Sequence, residues 1–229
     1  MMIIPIGSGR TIYDTTRTSI TYDGNSIIDP TLPGELVVQL AAMAPINNNL
    51  VINNLGISGQ TIRQMITNRA DVSNSFAPGK RNILIVFEIT NSIFNGASRT
   101  GLQAIDDLKE YIQVVQADIQ ARYPGQRWTI ILQTAIPRGD YLGAVYTAAT
   151  GEVELSIANN YIRANYKAMG ATAFIESRRP GGIFDFTDST NSARFPSTYW
   201  RDKTHPNKAG DAILAQYVAD VLTTLPSRP

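Results

Sequence analysis

Apolar residues recur along this chain with two periods, and the two alternate. Short, nearly unbroken apolar runs at residues 19–23 (SITYD), 50–55 (LVINNL), 82–87 (NILIVF), 128–132 (WTIIL) and 172–175 (TAFI) have the length and β-branched content of strands. The run at 82–87 is the most apolar, as a central parallel strand buried on both faces requires. Helical spacing follows these runs at residues 36–43, 61–69 and 152–169. It is clearest where Ile105, Leu108, Ile112, Val115 and Ile119 step by threes and fours along one face. A last helix is expected over 208–225, with Pro206 suited to its first turn and Pro226 stopping it. Ile213, Tyr217 and Val221 form one stripe on it, with Leu214, Val218 and Leu222 alongside.

Strands alternating with helices predict a three-layer α/β/α sandwich around a central parallel sheet of about five strands. Residues 19–229 are expected to form a single domain, and residues 1–18 an added arm or edge element. The segment 178–200, rich in Gly, Pro, Ser and aromatic residues, has the length and composition of a functional loop.

Composition narrows the chemistry. There is no cysteine and one histidine in 229 residues. Thiol nucleophiles, disulfides, Cys-type zinc sites and multi-histidine metal centres are thereby excluded, and neither metal nor cofactor is expected. Any imidazole acid–base work falls to His205. Lys and Arg number 20 against 19 Asp and Glu, with no basic stripe, so nucleic acid is not an expected partner. Charged residues make up only 17%. The surface must therefore be rich in Ser, Thr, Asn and Gln, a composition common in secreted and virion proteins. The opening MMIIPIGSGR has neither a basic leader nor a long apolar stretch, so no signal peptide is expected. With no run of ~18 apolar residues, no membrane insertion is expected either.

In parallel α/β sheets ligands sit beyond the carboxyl ends of the strands. The segments there are Gly24-Asn25-Ser26, Gly56-Ile57-Ser58-Gly59-Gln60-Thr61 and Glu88-Ile89-Thr90-Asn91; Asp202-Lys203-Thr204-His205 precedes the last helix. A hydroxyl, an imidazole, an acid to orient it and donors for an oxyanion are what acyl transfer needs. Competing motifs fail. Gly79-Lys80-Arg81 lacks the hydroxyl of a P-loop, and Ile28 stands where a nucleophile elbow needs its second glycine. Arg138-Gly139-Asp140 reads as a turn. Glu88 reads either as a second acid–base group or as a structural carboxylate.

Taken in order, these segments resemble the SGNH (GDSL-type) hydrolase family of serine esterases over nearly the whole chain. Gly24-Asn25-Ser26 stands for its Gly-Asp-Ser, Gly59 for its oxyanion glycine, Ile89-Thr90-Asn91-Ser92 for its Gly-x-Asn-Asp, and Asp202 with His205 for its Asp-x-x-His. The resemblance implies a flavodoxin-like SGNH fold and a triad of Ser26, His205 and Asp202. It also implies an oxyanion hole built from the Ser26 N–H, the Gly59 N–H and the Asn91 side chain. Asn25, Ile89 and Ser92 depart from the family's Asp, Gly and Asp. The implied reaction is ester hydrolysis, with O-acetylated carbohydrate as the expected substrate. A lipase or thioesterase, and a non-catalytic glycan-binding or virion module on the same fold, are the alternatives. Tyr199, Trp200 and Arg178, from the aromatic and arginine-rich segment, are expected to bind substrate.

Overall fold

The structure is a computed structural model that describes residues 18–32, 36–43, 52–95, 99–139, 146–188 and 190–225. The expected N-terminal arm lies outside the described residues, apart from Thr18, which begins the first strand. Five strands, β1 (Thr18–Gly24), β2 (Ile52–Asn54), β3 (Arg81–Phe87), β4 (Thr129–Gln133) and β5 (Ala173–Ile175), form one sheet in the order β2-β1-β3-β4-β5. Every pairing is parallel. Seven α-helices, α1 (Leu36–Ala41), α2 (Ile62–Asn68), α3 (Ala70–Ser75), α4 (Thr90–Phe94), α5 (Gly101–Arg122), α6 (Ala148–Asn165) and α7 (Lys208–Thr224), and a turn of 3-10 helix at Ser192–Arg194 complete the described chain.

The alternation of side chains along the strands divides the core into two layers. Ile20, Tyr22, Ile83, Ile85, Phe87 and Ile131 face α1 and α7, packing with Leu36, Leu40, Leu214, Val218 and Leu222. Leu84, Val86, Ile130 and Leu132 face the other way, against Ile62, Met65, Ile105, Leu108, Ile112, Val115, Leu155 and Ile162. The sheet is thus the middle layer of an α/β/α sandwich, as expected. No helix among the described residues is long and apolar enough to cross a membrane.

Several local expectations shift. On α7 the fully buried stripe is Leu214, Val218 and Leu222; Ile213, Tyr217 and Val221 are only partly covered. Pro206 lies before α7 rather than in its first turn. Asn207 is the N-cap, its Oδ1 accepting from the N–H groups of Ala209 at 2.9 Å and Gly210 at 3.2 Å. Helix α6 starts before residue 152 because Thr147 and Thr150 form a reciprocal cap. The short helices α3 and α4 have no counterpart in the apolar pattern.

The strand order reverses between β1 and β3, which defines the crevice where doubly wound sheets bind ligands. At that edge the two strands are in close contact. A Cβ on Gly24 would sit 2.5 Å from the Phe87 carbonyl oxygen, so only glycine fits at the end of β1.

Candidate active site

Past Gly24 the chain turns sharply. Asn25 Oδ1 accepts from the Ile27 N–H at 3.0 Å, and the Asn25 carbonyl accepts from the Ile28 N–H at 3.1 Å. Ser26 rides on this turn, 9% exposed, with its Oγ 2.8 Å from Nε2 of His205. The opposite ring nitrogen, Nδ1, lies 2.9 Å from Oδ2 and 3.1 Å from Oδ1 of Asp202. Asp202 also accepts from the backbone N–H groups of Thr204 and His205, both at 2.7 Å. Burial raises the Asp202 pKa, but the His205 ring and these two backbone donors outweigh it and hold the carboxyl below its ordinary value. An ionised Asp202 in this position selects the His205 tautomer with its proton on Nδ1, leaving Nε2 to accept from Ser26.

The segment carrying Asp202 and His205 is itself pinned. The Arg201 N–H donates to the His205 carbonyl at 2.9 Å, and Trp200 bridges to Pro206. The Asn207 N–H donates to the Tyr199 carbonyl at 2.9 Å. From the loop after β4, the Gly139 N–H donates to the Lys203 carbonyl at 2.7 Å.

The other strand ends interlock beside Ser26. The Ile57 N–H donates to the Gly24 carbonyl at 3.1 Å, and the Ser58 N–H to Asp29 Oδ2 at 2.7 Å. Gly59 follows in the left-handed region, φ +74°, which suits glycine. Its carbonyl accepts from Asn95 Nδ2 at 3.3 Å. Thr61 then caps α2 through a reciprocal pair with Gln64. Asn91 sits in the first turn of α4, 4% exposed, donating through Nδ2 to the Gln60 carbonyl at 3.2 Å. Its Oδ1 accepts from Arg138 at 3.3 Å, which leaves the second Nδ2 hydrogen as the remaining donor of that amide.

Thus Ser26, His205 and Asp202 are joined in one hydrogen-bonded chain, while Gly59 and Asn91 are linked through the Gln60 segment. Of the three residues expected to bind substrate, Trp200 and Arg178 have buried side chains. Trp200, 3% exposed, is enclosed by Phe184, Phe186 and Phe195, at ring-centroid distances of 5.3, 6.3 and 4.8 Å. Arg178 is also buried, ion-paired with Glu152 and donating through Nε to the Ala135 carbonyl at 3.0 Å. Both side chains are spent on folding segment 178–200 against the domain. Tyr199 is half-buried against the same core.

Two site residues were not assigned a role from the sequence. Arg138, read as part of a turn, holds the Asn91 amide. Glu88 is buried and accepts from Asn25 Nδ2 at 2.6 Å, the Ser92 N–H at 2.7 Å, Ser92 Oγ at 3.1 Å and the Asn91 N–H at 3.3 Å. Of the two readings of Glu88, this is the structural carboxylate. Burial raises its pKa to about 7 against the pull of those donors. A signal was present in the sequence: Asn25 and Ser92, two donors, depart from the motif's two acids, and Glu88 lies between them in the chain. Among the described residues no cluster of three His, Asp or Glu side chains could hold a metal ion.

A recess of about 300 Å³ borders Gly59, lined by Ile57, Ser58, Gln60, Gln64, Thr67 and Asn68. A larger one, about 600 Å³, lies against α2, α3 and α5 around Arg69, Ser73, Asp118 and Arg122, with none of the strand-end residues in its wall.

This architecture is the SGNH (GDSL-type) fold. A member of the lipolytic G-D-S-L family from Veillonella parvula superposes with a TM-score of 0.60 at 18% identity, over 91% of this chain and 100% of that one. A GDSL-like lipase from Bacteroides thetaiotaomicron gives 0.62 at 18% identity, over 91% of this chain and 88% of its own. A carbohydrate acetylesterase from Sinorhizobium meliloti gives 0.61 at 14% identity, over 92% and 100% respectively. No family model and no curated protein matches the chain by sequence. At these identities the likeness establishes the SGNH fold.

Proposed function

We propose that this protein is a serine ester hydrolase that removes O-acetyl groups from carbohydrate, with Ser26 as nucleophile, His205 as general base and Asp202 as its orienting acid. The observation that carries the reading is the continuous contact from Ser26 Oγ to His205 Nε2, 2.8 Å, and from His205 Nδ1 to Asp202, 2.9 Å. His205 Nε2 takes the Ser26 proton as Oγ bonds to the ester carbonyl carbon. The carbonyl oxygen becomes the oxyanion, received by the N–H groups of Ser26 and Gly59 and the remaining Nδ2 hydrogen of Asn91. Collapse of the tetrahedral intermediate breaks the ester C–O bond, and imidazolium returns the proton to the departing alcohol. Water, deprotonated by His205, then releases the acid and restores Ser26.

Carbohydrate as the alcohol is supported by the recess beside Gly59. Five of its lining side chains, Ser58, Gln60, Gln64, Thr67 and Asn68, carry hydroxyl or amide groups that can hydrogen-bond sugar hydroxyls. The fold is also shared with a protein described as a carbohydrate acetylesterase. The test is hydrolysis of 4-nitrophenyl acetate, 4-nitrophenyl decanoate and acetylated polysaccharide by wild type and Ser26→Ala. Acetate release that prefers the short ester and the polysaccharide, and that disappears in Ser26→Ala, is expected. Preference for the decanoate would reject the carbohydrate assignment, and full activity of Ser26→Ala would reject the mechanism.

A further inference from the structure

Glu88 lies across the point where the sheet reverses its strand order. It follows β3, yet its Oε2 takes the side-chain amide of Asn25, the residue before Ser26, and its Oε1 takes both the N–H and the hydroxyl of Ser92. Oε2 also takes the N–H of Asn91. Ser92 Oγ accepts in turn from the Ile62 N–H at 2.9 Å, which draws the start of α2 into the same cluster. One carboxylate therefore fixes the turn that presents Ser26 relative to the helix that presents Asn91.

The donors are matched to it with no freedom to spare. Asn25 Nδ2 faces Glu88 because Asn25 Oδ1 is occupied by the Ile27 N–H. Turning the amide over would bring Nδ2 against that N–H and open the turn under Ser26. An aspartate at position 25 would set two carboxylates 2.6 Å apart inside the protein, where they cannot both ionise. An aspartate at position 92 would meet the same carboxylate. The partners of Glu88 from the turn after β1 and from α4 are all uncharged. The other titratable and charged groups of the site are directed elsewhere: His205, backed by Asp202, contacts Ser26, and Arg138 contacts Asn91.

We propose that Glu88 is a positioning residue that sets the nucleophile turn against the oxyanion helix, and that Asn25, Glu88 and Ser92 are one coupled exchange of two motif aspartates for a single shared carboxylate. The inference rests on the reading of Ser26 and Asn91 given above.

The test measures kcat and KM for 4-nitrophenyl acetate from pH 5 to 9, in about half-unit steps, for wild type, Ser26→Ala, Glu88→Gln, Asn25→Asp and the double variant Asn25→Asp/Glu88→Gln, each checked for cooperative melting. Glu88→Gln turns a donor towards Asn25 Nδ2, and its kcat should fall about tenfold or more with KM little changed. Asn25→Asp should lose at least as much at alkaline pH. Its activity relative to wild type should recover as pH falls and the two acids come to share one proton. In the double variant the carboxylate introduced at position 25 accepts from both the Ile27 N–H and the side-chain amide introduced at position 88. Its kcat should therefore return to within about threefold of wild type, without the added pH dependence. Because the double variant keeps every bond but the longest, it reports on the coupling even where a single variant fails to fold.

Unchanged kcat in both single variants, or a folded double variant as impaired as the worse single one, would overturn the positioning role. If that happens while Ser26→Ala is inactive, the esterase reading stands and only this inference falls. Wild-type turnover by Ser26→Ala would instead bring down the reading on which it rests.

Discussion

Tyr111, in the middle of α5, donates its hydroxyl at 2.5 Å to Oδ2 of Asp23, the buried carboxylate one residue before the end of β1. Asp23 is thus held beneath the strand end that carries the nucleophile turn. Burial raises its pKa from 3.8 to about 7, outweighing the Tyr111 bond. Glu88 is raised from 4.5 to about 7 for the same reason. Between those ordinary values and about 7 the folded protein holds protons that the unfolded chain has released, so stability falls as pH rises through that window. Asp29, Glu176 and Asp202 are lowered instead, and their contribution is lost as pH drops below the ordinary carboxylate range. The melting temperature should therefore rise on acidification from about pH 8 to about pH 5 and fall again below about pH 4. Asp23→Asn, which keeps an oxygen for Tyr111, should flatten the slope above pH ~5. Melting curves across a pH series check this.

Asp202→Asn separates the two duties of that side chain. An amide oxygen can still accept from the Thr204 and His205 N–H groups, so the turn should hold. Its other atom becomes a donor facing His205 Nδ1, which favours the wrong tautomer; in a serine protease triad the same exchange costs about 10⁴-fold in kcat. A loss of that order in kcat, with only a small fall in melting temperature as the stabilised carboxylate is removed, is expected from steady-state kinetics and calorimetry.

The Asn91 amide is oriented from both ends, by the Gln60 carbonyl and by Arg138. Asn91→Ala should reduce kcat by about 10²–10³, the usual effect of losing one oxyanion donor. Arg138→Ala leaves the donor present but less firmly held, and should cost roughly tenfold in kcat with a smaller change in KM. The ordering of the two variants in kcat is the checkable outcome.

Trp200→Ala distinguishes a folding role from a substrate-facing one. Its ring is enclosed by three phenylalanines in the core that supports segment 178–200. Truncation should lower stability by about 3–5 kcal/mol, as for other buried large aromatics. The shift in denaturant midpoint measures it. A surface residue stacking on sugar would leave the midpoint in place and raise KM alone.

The legible parts of this protein are those governed by local period and local order. β3 and α5 are recognisable because their apolar residues repeat over a full element, and the spacing of Asp202 to His205 survives because both lie in one turn. Helix α4 was invisible because it has only five residues and buries its polar Thr90, Asn91 and Ser92 as fully as Ile93 and Phe94, so polarity marks no period. Helix α3, six residues after an uncapped Arg69, is too short to show one. For Trp200 and Arg178 the sequence is ambiguous: aromatic and arginine content describes a groove and a loop anchor equally well, and the partners Phe184 and Glu152 become visible only in the fold. The role of Arg138 depends on a contact 47 positions away in the chain, which no local pattern encodes; that of Glu88 joins local bonds to Asn91 and Ser92 with one to Asn25, 63 positions away.

The most direct test of the central claim is labelling with a fluorophosphonate probe followed by peptide mass spectrometry. A nucleophile activated as Ser26 is by His205 should give one adduct, on Ser26, formed rapidly in wild type and abolished in His205→Ala. Folded wild-type protein that stays unlabelled, or an adduct on any other residue, would contradict the assignment.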